Sequence, residues 1–311
     1  SDGLALASSD DHTTNSVHPP MIRNLLFSRT GSIFAIMSCR LTILGSGSSG
    51  NCAYLETDST RLLVDAGLSG RQIVERLAGI GKTPADLHAI LVTHEHQDHV
   101  QGLSVLARKF RIPIYANRLT RAAVLENLLS DDESQSANFK SQISNLKWRV
   151  FESGQRFAAG DFDVEPFSIP HDASDPVGFL LHHAGRSVAF LTDLGHMNHL
   201  TLEKARQAHV LLLETNHDLK LLQDDSKRPW AVKQRIAGRH GHLSNEAAAT
   251  ALAEIMTDRL EHVYLAHLSR ECNRPELAEA TIQKKLKEIG AAQVRLTVTR
   301  PDQPCATERL E

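Results

Sequence analysis

Three histidines, a glutamate and an aspartate crowd into Thr93-His94-Glu95-His96-Gln97-Asp98-His99, directly behind the apolar run Ala89–Val92. Imidazole and carboxylate donors at that density are the side chains that hold divalent metal ions. The apolar run reads as a buried strand and already fills the core, so the string behind it is available to face a site. On extended backbone His94 and His96 point to the same side, because alternate residues do. The turn into a helix expected over Val100–Lys109 then swings Asp98 and His99 toward a second point. A lone His-x-His is common in solvated loops, but the whole string behind a buried strand is not a surface pattern.

A two-metal site needs donors from elsewhere, and three residues stand at the ends of other apolar runs. His171 follows Phe167–Pro170, Asp193 follows Phe190–Thr192 and His267 follows Val263–Ala266. The expected assignment puts one ion on His94, His96 and His171, and the other on Asp98, His99 and His267, with Asp193 bridging the two. All donors are nitrogen or oxygen. Zinc suits that set best, and manganese and iron accept it too.

The elements that must position these residues follow from hydrophobic patterning. Short strands are expected at Leu41–Leu44, Cys52–Glu56, Arg61–Val64, Ala89–Val92, Ile112–Ala116, Lys147–Phe151, Phe162–Phe167, Gly178–His182, Ser187–Thr192, Val210–Glu214, His262–Leu265 and Val294–Val298. Helices are expected at Arg71–Leu77, closed by Gly79 and Gly81, and at Val100–Lys109 and Leu119–Leu129. Two more run from the cap Ser244 to about Met256, and over Pro275–Ile289 with Asn273 as cap and Gly290 as stop. Ser130–Asn145 is polar and reads as a long surface loop. Strands with interspersed helices and no repeat give one α/β domain with two sheets and outer helices.

Composition narrows the class. With 311 residues, 41% hydrophobic and 23% charged, the chain is of ordinary globular make-up. A formal net charge of −3 argues against a protein that grips nucleic acid over its whole surface, while leaving room for a local basic patch. Four cysteines without a Cys-x-x-Cys pair are no disulfide framework and point to the cytoplasm. No apolar run is long enough to span a bilayer, so no membrane association is expected. Residues 1–36 are read as a disordered extension ahead of a domain at 37–311, with Met37 as a start. The acid-free stretch between Asp11 and Glu56, with Arg23, Arg29 and Arg40, has the make-up of a transit segment, but its apolar runs are short and broken by Ser28–Gly31.

Several segments carry a family resemblance: Leu44-Gly45-Ser46-Gly47-Ser48-Ser49-Gly50-Asn51, Ile169-Pro170-His171-Asp172-Ala173, Glu214-Thr215-Asn216-His217-Asp218, Gly241-His242-Leu243-Ser244-Asn245 and Ala266-His267-Leu268-Ser269-Arg270. With the ligand string, the chain from Arg40 to about Arg300 resembles the metallo-β-lactamase superfamily, and within it the YycJ/WalJ-like branch. The resemblance implies an αβ/βα four-layer sandwich, two mixed β-sheets with outer helices, and metals at one edge. It implies a cytoplasmic nuclease acting on nucleic acid, DNA rather than RNA, as a 5′-to-3′ exonuclease on double strands. Asp65, in Leu63-Val64-Asp65-Ala66-Gly67, matches the family's early aspartate, which orients ligands without binding metal; a turn residue before Gly67 is the other reading. Asp193 and His267 are only 74 positions apart, which leaves no room for the inserted β-CASP domain of some nucleases.

Gly241–Asn245 matches the place where ribonuclease Z-like enzymes carry a histidine that protonates the leaving oxygen. His242 therefore joins Asp98 and Asp193 as a candidate catalytic group, since an alkoxide leaves badly without an acid. Ser244 opens a helix whose amides would face a phosphate. Upstream, Ser226–His242 holds Lys227, Arg228, Lys233, Arg235 and Arg239 without an acid, and Trp230 among them could stack on a base. Lys233, Arg235 and Arg239 are candidate phosphate contacts, along with Ser48, Asn216, Ser244 and Arg270. Two rival functions share the ligand set: a hydrolase of thioesters, lactones or β-lactams, and a scaffold that binds metal without catalysis. The first has no use for His242 or the basic run, and the second would be expected to have lost a ligand.

Overall fold

In the computed structural model, residues 38–130 and 137–310 are described. The expected extension at 1–36 lies outside them. The described chain runs β1 (Cys39–Gly45), β2 (Cys52–Glu56), β3 (Arg61–Val64), α1 (Gly70–Gly79), β4 (Ala89–Leu91), α2 (Gln97–Val100), α3 (Leu103–Phe110), β5 (Ile114–Asn117), α4 (Arg118–Ser130), α5 (Ala137–Ser144) and β6 (Trp148–Phe151). It continues through β7 (Phe157–Ala159), β8 (Phe162–Ser168), β9 (Val177–His183), β10 (Arg186–Leu191), α6 (His199–Ala205), β11 (Val210–Glu214), α7 (Leu219–Asp224), α8 (Trp230–Ile236), α9 (Asn245–Ile255), β12 (His262–Ala266), α10 (Pro275–Glu288), β13 (Arg295–Val298) and β14 (Glu308–Leu310).

Two seven-stranded mixed sheets result, ordered β14-β1-β2-β3-β4-β5-β6 and β13-β12-β11-β10-β9-β8-β7. Strand alternation divides each element between two cores. Leu41, Leu55, Leu62 and Leu91 of the first sheet join Phe179, Phe190, Leu212 and Tyr264 of the second in the layer between the sheets. Ile43's neighbour Leu44, with Tyr54, Leu63 and Ile90, faces the other way onto α1 and α3. Ala189, Leu191, Leu211, Leu213, Val263 and Leu265 likewise face α6, α9 and α10. Burial on both faces is why β10, β11 and β12 read as unbroken apolar runs. This is the expected αβ/βα sandwich, and nothing resembling an inserted domain separates Asp193 from His267.

Pairing is parallel from β3 to β6 and from β10 to β13. The carboxyl ends of β3, β4, β10, β11 and β12 deliver Asp65, the histidine string, Asp193, Glu214 and His267 to one edge of the sandwich. Carboxyl ends of parallel strands are where open α/β sheets place ligands, because the chain must leave the sheet there.

Two expectations need correction. The polar stretch Ser130–Asn145 is not all loop: α5 forms within it and packs on α3 and α4, anchored by the buried Ile143 and followed by the buried Leu146. Asn273 does not cap α10. Arg274 holds that place, with Pro275 in the first turn, while Asn273 Nδ2 donates to the Thr215 carbonyl at 2.8 Å and to Asn245 Oδ1 at 2.9 Å. The elements absent from the sequence reading are β7, β14, α6, α7 and α8, all too short for periodicity to register.

Candidate metal centre and cleft

β4 ends against Val92 and Thr93, and the chain turns into α2 with His96 at the cap position, in extended conformation. His94 and His96 therefore face one way, as expected, and β8's exit brings His171 between them. The ring centroids of His94 and His96 lie 4.6 Å apart, and each lies 5.1 Å from that of His171. Donor atoms of these three lie within 4.8 Å of one another. Asp98, His99, Asp193 and His267 form a second group within the same limit. Asp193 sits between the groups: Oδ1 is 3.7 Å from His171 Nε2 and 3.4 Å from His267 Nε2, and Oδ2 is 2.8 Å from His99 Nε2. His267 Nε2 lies 3.1 Å from Asp98 Oδ2.

The outer ring nitrogens are tied down. His99 Nδ1 donates to Asp65 Oδ2 at 2.7 Å, and His171 Nδ1 donates to the Gly241 carbonyl at 3.1 Å. Asp65 also accepts from the Thr93 amide and hydroxyl. With its proton given to Asp65, that hydroxyl is left to accept from His94 Nδ1, 3.1 Å away. His267 Nδ1 donates to Glu214 Oε1 at 2.9 Å. Each of these rings is left with Nε2 as its lone-pair nitrogen, aimed at the centre, which is the tautomer a metal requires.

Three observations fit the residues to bound cations. His94 Nε2 is buried without a hydrogen-bond partner, as is Asp193 Oδ2 despite its closeness to His99. A fully buried polar atom left so is costly unless an ion meets it. Next, Asp65, Asp193 and His267 all take left-handed backbone, with φ of 59°, 57° and 56°. Such strain clusters at ligand clamps and costs on the order of 1–3 kcal/mol per residue. Last, the charges are mutually dependent. Burial would raise the Asp193 carboxyl, yet His267, His99 and His94 hold it well below the usual range. Burial would lower His267, yet Asp193, Asp98 and Glu214 raise it. His94, with fewer acids nearby, is driven down by burial and by His99.

His242 stands at the mouth of the centre, its ring centroid 5.2 Å from those of both His171 and His267. Its Nδ1 donates to Glu214 Oε1 at 2.8 Å. Donor atoms of Asp193, Glu214, His242 and His267 also converge within 4.8 Å, but Glu214 already accepts from both histidines, so that convergence is a hydrogen-bonded clamp. A cleft of about 230 Å³ opens over the ligands, walled by Ser48, Asp172, Val232, Arg235 and His242. Arg235 Nε donates to Asp172 Oδ2 at 2.5 Å.

The other proposed substrate contacts separate. Ser48 and Arg235 are at the cleft. Lys233 turns away, its Nζ donating to the Gln223 carbonyl at 2.6 Å, and Arg239 meets His196. Ser244 is a buried cap whose Oγ accepts from the Ala247 amide, and the Asn245 amide is taken by the His217 carbonyl, so the start of α9 does not face the cleft. Asn216 is buried behind the site, where Nδ2 donates to the His267 carbonyl at 2.9 Å; it holds His267 in place and does not line the cleft. Arg270 is exposed in a neighbouring pocket, and Trp230 is exposed on α8 away from the ligands.

Three supporting residues went unassigned in the sequence. Glu214 is fully buried and accepts four hydrogen bonds, from His242, His267 and the amides of Leu194 and Leu243. The one available signal was a glutamate ending a run of apolar residues. Asn51 Nδ2 lies 3.4 Å from the Asp98 carbonyl and holds the string from below. Gly67 passes so close to the string that an added Cβ would lie 1.6 Å from the Asp98 carbonyl oxygen.

Comparison with known proteins matches residues 60–267 to the beta-lactamase superfamily domain. The chain is 38% identical over 254 residues to exodeoxyribonuclease YycJ of Bacillus anthracis, covering 82% of this chain and 91% of that protein. It is 40% identical over 247 residues to exodeoxyribonuclease WalJ of Streptococcus pneumoniae, covering 79% and 88%. Among solved structures, the metallo-beta-lactamase fold protein YhfI from Bacillus subtilis superposes with a TM-score of 0.60 at 17% identity, covering 86% of this chain and 99% of that one; that likeness concerns the fold.

Proposed function

The chain belongs to the metallo-β-lactamase superfamily, in its YycJ/WalJ-like branch, and from that premise we propose that it is an exonuclease that cuts DNA phosphodiesters with two divalent metal ions. It is a metal-dependent hydrolase of the nuclease kind, and two relatives that match most of its length are named exodeoxyribonucleases. The observation that carries the phosphodiester reading is His242, held by Glu214 beside the seven-donor cluster in an open cleft. With Nδ1 committed to Glu214, Nε2 is the ring nitrogen that meets a substrate oxygen, and a proton given there lets an alkoxide leave as an alcohol. A thioester, whose thiolate departs unaided, has no need of that group.

His94, His96 and His171 would hold one ion and Asp98, His99 and His267 the other, with Asp193 shared. Metal ions so held would polarise a phosphoryl oxygen and lower the pKa of attacking water. Asp65 and Glu214 keep the ligand rings in register, and Arg235 brings positive charge to the cleft. Zinc is the metal proposed, with manganese and iron the alternatives this donor set admits. All four cysteines are free thiols, three of them buried, which suits the reducing cytoplasm. Among the described residues no helix is long and apolar enough to cross a membrane.

The test is incubation with 5′- and 3′-labelled single- and double-stranded DNA and RNA, with Zn²⁺ or Mn²⁺. Stepwise shortening of duplex DNA from its 5′ end is the expected result. Hydrolysis of a thioester or lactone with every oligonucleotide left intact would overturn the reading.

A further inference from the structure

Beside the metal cleft lies a second cavity, of about 550 Å³, within the roughly 300–1,000 Å³ of small-molecule sites. Ser48 lines both, so the two are neighbours across a single residue. The second cavity is basic: Arg270, Arg274 and Arg300 line it together with Ser48 and Ser49. None of the three arginines forms a salt bridge among the described residues, unlike Arg228 or Arg235 nearby. Arg274 donates only to backbone carbonyls, of Asn273 and Glu271. One acid, Asp302, also lines the cavity, and its charge acts on Arg76. Guanidinium groups are the preferred partners of phosphate, which they bind through two parallel hydrogen bonds. Three of them without carboxylate partners, with Ser48 and Ser49 in the same lining, make a site for an anion that the protein itself does not supply.

We propose that this cavity is a second phosphate subsite, taking a phosphate of the nucleic-acid strand next to the one being cut. The proposal rests on the nuclease reading above. Because Ser48 lines both spaces, a strand with its scissile phosphate over the ligand cluster would run past Ser48 and bring a neighbouring phosphate to the arginines. Two phosphates held at fixed spacing set which bond reaches the metals, so the subsite fixes the length of the product as well as affinity. The cavity is separate from the basic run near α8, of which only Arg235 reaches the metal cleft.

Thymidine 3′,5′-bisphosphate and the two thymidine monophosphates serve as probes, each as an inhibitor of bis-p-nitrophenyl phosphate hydrolysis by the metal-loaded enzyme. The bisphosphate spans both subsites and should inhibit at roughly tenfold lower concentration than either monophosphate, the worth of one charge-assisted hydrogen bond. In Arg300→Glu and, separately, Arg274→Glu, that advantage should vanish, while metal content and turnover of bis-p-nitrophenyl phosphate stay at wild-type levels. On oligonucleotides the same variants should show KM raised by a similar factor. A rise confined to 5′-phosphorylated substrates identifies the bound group as the terminal phosphate, and an equal rise on 5′-hydroxyl substrates identifies it as an internal one. An advantage retained in both variants, or absent from the wild type, overturns the proposal. If the wild type cuts no oligonucleotide, the nuclease reading fails, and the inhibitor series still decides the subsite.

Discussion

Glu214→Gln removes one charge and almost no volume from the buried centre of the site, and its consequence can be worked from four hydrogen bonds. Oε1 accepts from His242 Nδ1 and His267 Nδ1, and Oε2 accepts from the amides of Leu194 and Leu243. A glutamine keeps one oxygen. Whichever way the amide turns, two buried N–H donors lose their acceptor and face an NH₂ group. At about 1–3 kcal/mol for each unsatisfied donor, the cost is about 2–6 kcal/mol, or a fall of roughly 3–10 °C in Tm for a chain of this size. His267 has one escape: shifting its proton to Nε2 lets Nδ1 accept from the amide, but it also blocks the lone pair that a metal needs. The variant must therefore lose stability, metal affinity or both, with metal affinity down by about 10–100-fold if the ring takes the escape. Differential scanning calorimetry of apo and metal-loaded protein, with elemental analysis after dialysis, reads both quantities. Wild-type Tm together with wild-type metal occupancy would refute the assignment of Glu214 as the clamp on the two histidines.

His242→Ala should lose about 10²–10⁴ in rate on an oligonucleotide with unchanged metal content, and much less on bis-p-nitrophenyl phosphate, whose phenolate needs little protonation; equal losses on both substrates would count against a proton-donor role. Gly67→Ala should empty the metal sites, because a Cβ there would lie 1.6 Å from the Asp98 carbonyl oxygen; full occupancy by elemental analysis would contradict the packing argument. Arg235→Ala should weaken oligonucleotide binding and flatten its salt dependence by about 0.9 in log–log slope, the share of one phosphate neutralised by the guanidinium, while Lys233→Ala leaves both unchanged when binding is measured by fluorescence anisotropy. Glu56 is held below its usual value of 4.5: burial pushes it up, but hydrogen bonds from Lys82, Arg40 and Tyr54 outweigh that. A depressed carboxylate contributes stability above its unfolded pKa and loses it as pH falls through the folded one, so Glu56→Gln should flatten the fall in Tm on acidification below about 4.5, and parallel curves would refute this.

The candidate metal ligands were legible because their signal is local. Five of the residues from His94 to His99 are potential donors in one run, and His171, Asp193 and His267 each follow an apolar stretch whose burial could be read from composition. The strands were legible as apolar runs between turn residues, and their order with the helices gave two sheets, whereas the four-layer sandwich followed from the family resemblance. The short helix α8 was not legible, and its Val232, Arg235 and Ile236 wall the cleft over the candidate ligands. Lys233, Arg235 and Arg239 read alike as a basic run, yet α8 turns about 100° per residue and carries Arg235 but not Lys233 to the cleft, while Arg239 lies past the helix end against His196. Glu214, Asn51 and Gly67 stood inside segments that carry the family resemblance, but their roles were not legible, because each acts on residues far along the chain: Glu214 on His242 and His267, Asn51 and Gly67 on Asp98. Aspartate and histidine tolerate left-handed backbone better than most residues, but that Asp65, Asp193 and His267 in particular adopt it was decided by the tertiary structure. Chain-local chemistry singled out which side chains could bind a metal. Only tertiary packing decided how they are aimed, because aim depends on hydrogen bonds and close approaches between segments far apart in sequence, 53 residues in the case of Glu214 and His267.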